Sequence, residues 1–387
     1  MPIDTPGARS GKSRGPSRRG ARLSRLAAAI SETGTNIVVA GRRAGIYKES
    51  ARYMFKKRML GRGFTLHATV AYERVGLRCV VLLVRVHKRF EERAEAMFAA
   101  MHESCFVESF SRTVPSGYYF VTAAVPEEHV AAFVDLANAL EKAGIFSSLR
   151  IFSSEWRRDI PMRVENYDFE RNEWTFDWEH PKVALGGALE KSRSRKAMVD
   201  NQDLDIINQL QLDATTTIGS VANELGVDHK PLRYHYRRHI LAQGLIGKFR
   251  WDWSKVAKNN GSGDSPPGGR VHLGLNILAE GLDRGQILEI RAYFSQFPFL
   301  VLEAGGETFY YAVGEFPVES IWQAYEVMDK ISERMGYKLE VFVRDPAHAA
   351  LYGIPIGLFW GRRLLDPFDG RKVQARLETL LRRSGSS

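Results

Sequence analysis

At 387 residues, with 44% apolar and 11% aromatic side chains, the chain is too long for one ordinary domain and carries core formers enough for two to four. Its 55 Lys and Arg against 45 Asp and Glu leave a formal charge of +10, which suits a polyanionic partner, nucleic acid or an acidic membrane surface, or else a solubilising exterior. Two cysteines without metal-ligand spacing, and no run near the ~18–20 apolar residues of a membrane span, exclude disulfide-stapled, zinc-ribbon and membrane-spanning classes.

Residues 1–22 carry Arg9, Lys12, Arg14, Arg18, Arg19 and Arg22 against Asp4, among Gly, Ser and Pro, and are expected to be a disordered basic arm. The arm is either a phosphate-tracking element or a solubilising tail. It has no apolar core and reads as no signal peptide. Residues 23–76 follow as a first winged helix-turn-helix. A stripe of Leu23, Leu26, Ala27 and Ile30 predicts a helix, 38–44 a second, and 48–60 a strongly basic third. After 61–63, the alternation Phe64, Leu66, Ala68, Val70 predicts a strand ribbon.

Residues 77–162 change rhythm and predict strand 79–86, helix 90–101, strands 106–114 and 118–125, helix 128–143 and strand 148–152. That β-α-β-β-α-β order is ferredoxin-like. A linker spans 163–199. Its alternating Trp174, Phe176 and Trp178 give one greasy face, expected on a sheet edge or another domain, and 181–196 reads as mobile and basic.

The order then restarts. Residues 200–257 form a second winged helix-turn-helix, 258–270 a flexible insertion, and 271–360 a second ferredoxin-like unit. A short helix at about 370–383 hangs in the tail 361–387. Residues 45–64 lie over 226–245 without a gap, at an offset of 181 (226 minus 45), with Gly45/Gly226, Arg52/Arg233, Tyr53/Tyr234, Leu60/Leu241 and Gly63/Gly244 identical. The sheet units align as well, with 118–120 over 309–311. A long-period repeat sets the architecture. The expected fold is therefore α+β, two winged helix-turn-helix domains alternating with two ferredoxin-like β-α-β-β-α-β domains.

Each third helix has a recurring apolar side, Ala51, Phe55 and Met59 or Leu232, Tyr236 and Ile240, which turns its cations outward. Arg or Lys reaching guanine is the commonest base contact in a major groove. The N-terminal part of such a helix meets base edges. Lys48, Arg52, His229, Lys230 and Arg233 are assigned there, with Lys56, Lys57, Arg237 and Arg238 on phosphates. Tyr53 and Tyr234 are open between contact with DNA and packing beneath the wing. His229, His235 and His239 share one helix without a visible Cys or carboxylate arrangement, so no metal site is expected. No P-loop, dinucleotide fingerprint or His–carboxylate pairing is apparent, so no catalytic residue, no cofactor and no enzymatic activity are expected.

Three segments, 200–213 with its spaced aspartates and Ile/Leu, 221–227 (Val-Ala-Asn-Glu-Leu-Gly-Val) and the basic run 237–246, resemble the DNA-binding part of the Lrp/AsnC regulator family. The resemblance implies a cytoplasmic, nucleoid-associated transcription regulator that binds double-stranded DNA. It further implies homodimers or larger oligomers paired through ferredoxin-like domains, and an amino acid-like effector of unknown identity. Members usually carry one module per chain; two modules here leave pairing within the chain open. Two rival readings stand beside the regulator. Siroheme decarboxylases resemble the same family and pair two such modules, and an architectural DNA-binding protein needs only the basic helices.

Overall fold

The computed structural model describes residues 18–178, 197–253, 272–360, 363–364 and 368–382. The tracts expected to be mobile at 1–17, 181–196 and 258–270 lie outside the described residues. The described residues begin with α1 (Arg18–Thr33), so the last five residues of the expected arm are helical instead. Arg and Ala are good helix formers, and the stripe beginning at Leu23 propagates backwards through them. Next come α2 (Ile37–Arg43), capped by the Asn36 side chain, and α3 (Lys48–Tyr53). Between them Gly45 adopts φ +66°, a left-handed turn that a side chain would strain. Beyond Tyr53 the helix widens into a π turn (Met54–Met59), followed by β1 (Thr65–Val70) and the short α4 (Tyr72–Val75).

The first β-α-β-β-α-β series is β2 (Leu77–Val86), α5 (Ala94–Ser104), β3 (Val107–Val114), β4 (Tyr119–Pro126), α6 (Val130–Lys142) and β5 (Phe146–Ser153). Strand β6 (Trp156–Asp159) and the small hairpin β7 (Tyr167–Asp168) and β8 (Glu173–Trp174) follow. The second helical unit is α7 (Asn201–Leu212), α8 (Ile218–Leu225), α9 (His229–Tyr234) and another π turn (His235–Leu241), then β9 (Ile246–Asp252). The second series is β10 (His272–Glu280), α10 (Arg284–Phe294), β11 (Leu300–Gly305), β12 (Phe309–Pro317), α11 (Ile321–Met335) and β13 (Leu339–Leu351). The pair β14 (Phe359–Trp360) and β15 (Arg363–Leu364) precedes α12 (Gly370–Arg382).

The fold is mixed α+β around one large antiparallel sheet, in the order β5-β2-β4-β3-β13-β10-β12-β11-β6. Its two end strands are consecutive in the chain. After β5, Ser154 N–H donates to Cys79 O (2.9 Å) and Glu155 N–H to Gly305 O (2.8 Å), carrying the chain from the first series to the second. The sheet thus closes on itself, leaving no free edge where the ends meet. Strand β13 makes the reciprocal crossing: Leu339–Val343 pair with β10, and Val343–Leu351 with β3. The sequence pattern suggests a strand ending near 343; the extension to Leu351 is specified by its partner in the other series.

Alternation along β2 sorts the core. Cys79, Val81 and Leu83 face a cluster inside the closed sheet with Phe120, Phe152, Leu278, Phe309 and Tyr311. Val80, Leu82 and Val84 join the cluster that contains Met97, Phe98, Phe133 and Leu140 of α5 and α6. Burial on both faces explains the unbroken apolar run. Helix α12 does not hang free: Val373, Leu377 and Leu381, four apart, are buried, and the helix packs on α5 and α6.

Among the described residues no hairpin wing follows either basic helix. Strands β1 and β9, one from each copy, pair antiparallel with each other, Leu66 opposite Trp251, His67 opposite Arg250 and Ala68 opposite Phe249. Two lone strand edges satisfy one another this way. Leu66, Ala68, Phe249 and Trp251 form the greasy face, and the Trp251 indole donates to Ala27 O (3.1 Å). The aromatics of 163–178 do pack on another part of the chain. Trp174 lies edge-on to Trp253 (5.0 Å) and Phe299 (4.9 Å), and Trp178 stacks on Phe299 (5.5 Å).

Candidate functional site

The opposite face of the shared ribbon carries Thr65, His67, Arg250 and Asp252. Except for Thr65 these side chains line a cavity of about 300 Å³ with residues of β3, β4, β6, β10, β11, β12 and β13. A strand pair therefore roofs a chamber whose walls come from both series. On one side Arg157 and Glu108 form a forked ion pair (Nη1–Oε2 2.5 Å, Nη2–Oε1 3.2 Å), with side chains only 7% and 1% exposed. The Tyr72 hydroxyl donates to Glu108, and the Arg157 guanidinium lies 4.0 Å over the Tyr72 ring. Gln211 bridges to both, donating to the Tyr72 oxygen (2.8 Å) and to Glu108 Oε1 (2.9 Å). Burial opposes the Arg157 charge, but Glu108, Tyr72 and Asp159 outweigh it and hold the guanidinium well above its usual pKa. Burial together with Glu108 likewise keeps the Tyr72 phenol protonated.

Across the chamber Arg344 donates to Glu315 (2.7 Å), whose carboxyl is pushed up by burial against the pull of Arg344. Tyr311 donates to Asn276 Oδ1 (2.9 Å), and Asn276 to Ser111 (3.3 Å). Arg250 is the one guanidinium of this chamber with no ion-paired carboxylate among the described residues. His67 Nδ1 lies 3.0 Å from the Gln211 carbonyl, which can only accept, so Nδ1 carries the proton and Nε2 is the basic nitrogen. Nε2 is 3.1 Å from the Thr65 hydroxyl. Burial, then the Arg250 charge, lowers the His67 pKa below 6.5. The arrangement can hold an anion at Arg250 and exchange a proton at His67.

None of these residues was singled out as a site from the sequence. A faint signal existed: Glu108 interrupts an apolar run, and 65/67 and 250/252 are the polar phases of two alternating strands. Their convergence depends on β1 pairing with β9.

The sequence-assigned DNA-binding residues Lys48, Arg52, Tyr53, Lys56, Lys57, His229, Lys230, Arg233, Tyr234, Arg237 and Arg238 all stand exposed. Tyr53 and Tyr234, 53% and 57% exposed, do not pack beneath a wing. Lys48 and Arg52 share Glu49 at 3.8 and 3.0 Å, so the first face is less purely cationic than its pattern suggests. The expectation that no carboxylates meet the helix histidines is corrected. Asp200 and Asp203, more than 30 residues upstream, sit against His235 and His239 because α7 packs on the π turn. Neither cysteine offers a thiolate, since burial pushes Cys79 up to about 11 and Cys105 higher. Among the described residues no helix is long and apolar enough to cross a membrane.

No family model matches the sequence, and no curated protein sequence matches it. Among solved structures, the crystal structure of the siroheme decarboxylase NirDL is similar over 93% of this chain and 99% of its own, at 10% identity and a TM-score of 0.49. Its co-complex with an iron-uroporphyrin III analogue is similar over 92% and 97%, at 10% identity and a TM-score of 0.48. An anthrone oxidase-like protein is similar over 74% and 98%, at 10% identity and a TM-score of 0.33. The names are those of enzymes, and this overturns the expectation that a chain of this architecture has no enzymatic activity.

Proposed function

We propose that the chamber beneath the shared ribbon is the active site of an enzyme acting on a carboxylate-bearing anion, and that decarboxylation of a siroheme-type tetrapyrrole is its reaction. One observation carries this reading: three guanidiniums and a histidine line one cavity, and Arg250 alone has no ion-paired carboxylate among the described residues. A volume of about 300 Å³ is at the small end of ligand sites, which suits a carboxylate arm and the ring edge that bears it. Non-oxidative decarboxylation breaks the bond between carboxylate and side-chain carbon. The electron pair stays on that carbon, delocalised into the conjugated ring, CO2 leaves, and a proton takes its place. Arg250 would hold the carboxylate through a charge-assisted pair. His67, protonated from solvent at Nε2, would return that proton to the carbon, its lowered pKa making it the stronger acid.

Anaerobic incubation of the full chain with siroheme tests this. The expected result is a retained chromophore and stepwise loss of CO2 by mass spectrometry, both lost in Arg250→Ala. Neither retention nor CO2 loss in the parent chain would sink the reading.

A second reading, DNA binding, is favoured by the exposure of both duplicated cationic helix faces. It is tested by gel shift on Arg233→Ala/Arg237→Ala, for which weaker binding is expected; unchanged affinity counts against it.

A further inference from the structure

We propose that Asp200, Asp203, His235 and His239 form a binding site for one divalent transition metal of the Zn²⁺ class. The site is separate from the chamber and does not rest on the reading given to it. One ligand atom from each residue falls within 4.8 Å of all the others. His235 Nδ1 is 3.1 Å from Asp203 Oδ1 and 3.3 Å from Asp200 Oδ2. His239 Nδ1 is 3.2 Å from Asp203 Oδ2 and 3.9 Å from Asp200 Oδ2. Four ligands at ~2.0–2.1 Å around a tetrahedral ion have edges of roughly 3.3 Å, and three of the four nitrogen–oxygen separations, at 3.1, 3.2 and 3.3 Å, already match that spacing.

His235 and His239 each reach Asp203 at hydrogen-bond distance, while Asp200 Oδ2 faces the same two nitrogens at 3.3 and 3.9 Å; a single ion at the centre serves all four groups. Asp203 is also fully buried, and a buried carboxylate needs firm compensation. The capping box of α7 fixes the donors. Asp200 Oδ1 accepts from Asp203 N (3.0 Å) and Asp203 Oδ2 from Asp200 N (3.1 Å), which turns Asp200 Oδ2 to both histidines, Asp203 Oδ1 to His235 and Asp203 Oδ2 to His239. Such outer-sphere hydrogen bonds orient metal ligands. Two imidazoles and two carboxylates, without thiolate, suit Zn²⁺ or Co²⁺.

The first module lacks the set. At the repeat's offset of 181, Asp200, Asp203, His235 and His239 correspond to Arg19, Arg22, Met54 and Arg58. Metal would therefore clamp α7 to one basic helix only.

The test uses the full chain stripped with EDTA and desalted, then loaded with Zn²⁺ or Co²⁺ and desalted again. One retained equivalent of zinc by elemental analysis is expected, with a tetrahedral Co²⁺ absorption that Zn²⁺ displaces. Loss of outer-sphere partners alone costs roughly 10- to 100-fold in affinity, so His235→Gln/His239→Gln, which removes two ligands, is expected to bind more than ~100-fold more weakly. Asp200→Asn keeps the helix cap, because Asn caps as well as Asp, and is expected to weaken binding with the fold intact. This single variant decides the matter should the double variant fail to fold. No retained zinc in the parent chain, or zinc retained undiminished in Asp200→Asn and in a folded double variant, overturns the proposal.

Discussion

The chamber has two walls that match strand for strand, and at one matched place only one of them is charged. Strands β3 and β11 each carry a bulge at the corresponding place, between Val107 and Ser109 in one and between Leu300 and Leu302 in the other. The residue inside the bulge is Glu108 in the first series and Val301 in the second. By the same register Arg157 and Asp159 of β6 stand where β13 has Ala349 and Leu351. All six line the same cavity. The apolar wall demonstrates that this closed sheet holds together without an ion pair at that place. A buried ion pair rarely exceeds a well-packed apolar replacement in stability. The charges of the first wall are therefore read as serving the chamber, and duplication as having supplied a frame in which one copy acquired them.

The largest effect is expected where the charged wall is half dismantled. Arg157→Ala strands Glu108 without its counter-ion and should lower unfolding stability by about 3–5 kcal/mol, read by urea denaturation. Converting the wall towards its partner with Glu108→Val/Arg157→Ala should recover more than half of that loss. A double variant as unstable as the single one would mean that the ion pair itself holds the fold. Next in size is Arg250→Ala. A charge-assisted hydrogen bond contributes about 1.5–3 kcal/mol, so affinity for a carboxylate ligand should fall ~10- to 100-fold by calorimetric titration, with the denaturation midpoint unchanged.

A smaller effect separates the two helical faces from the chamber. Lys56→Ala/Lys57→Ala should flatten the logarithmic salt dependence of DNA binding by up to about 1.8, from about 0.9 per phosphate contact, and leave carboxylate binding untouched. An unaltered slope would remove these two lysines from any DNA interface. Smallest is a pH term from His67. Its folded pKa lies below 6.5, so the unfolded chain binds the proton first as pH falls. Stability is unaffected above about pH 6.5 and declines below it, down to the folded pKa. Glu315, raised above 4.5, contributes with the opposite sign, losing stability as pH rises through its folded pKa. Subtracting the His67→Gln stability profile from the parent's isolates the histidine; a flat difference between about pH 5.5 and 7.5, roughly one unit either side of its reference, would contradict the assigned environment.

Much of the frame was readable in the chain. The stripe Leu23, Leu26, Ala27, Ile30 is buried, as are Ala51, Phe55 and Met59, and both β-α-β-β-α-β series occur in the expected order. Periodicity reports which side of an element is buried, because burial repeats with the backbone's own geometry. It also placed the duplicated cations outward. It was silent on partners. Thr65, His67, Arg250 and Asp252 are ordinary polar positions of two strands until those strands pair.

By itself the sequence determined the elements, their duplication and the face each turns inward, since these follow from contacts among residues close along the chain. Tertiary structure alone decided that β1 pairs with β9, that β6 and β13 cross between series, and that Asp203 meets His239. Those contacts join residues 36 to 242 positions apart (239 minus 203; 351 minus 109). Local pattern carries no record of such pairings, because the preference of a strand edge or a carboxylate for its partner is chemical and not positional.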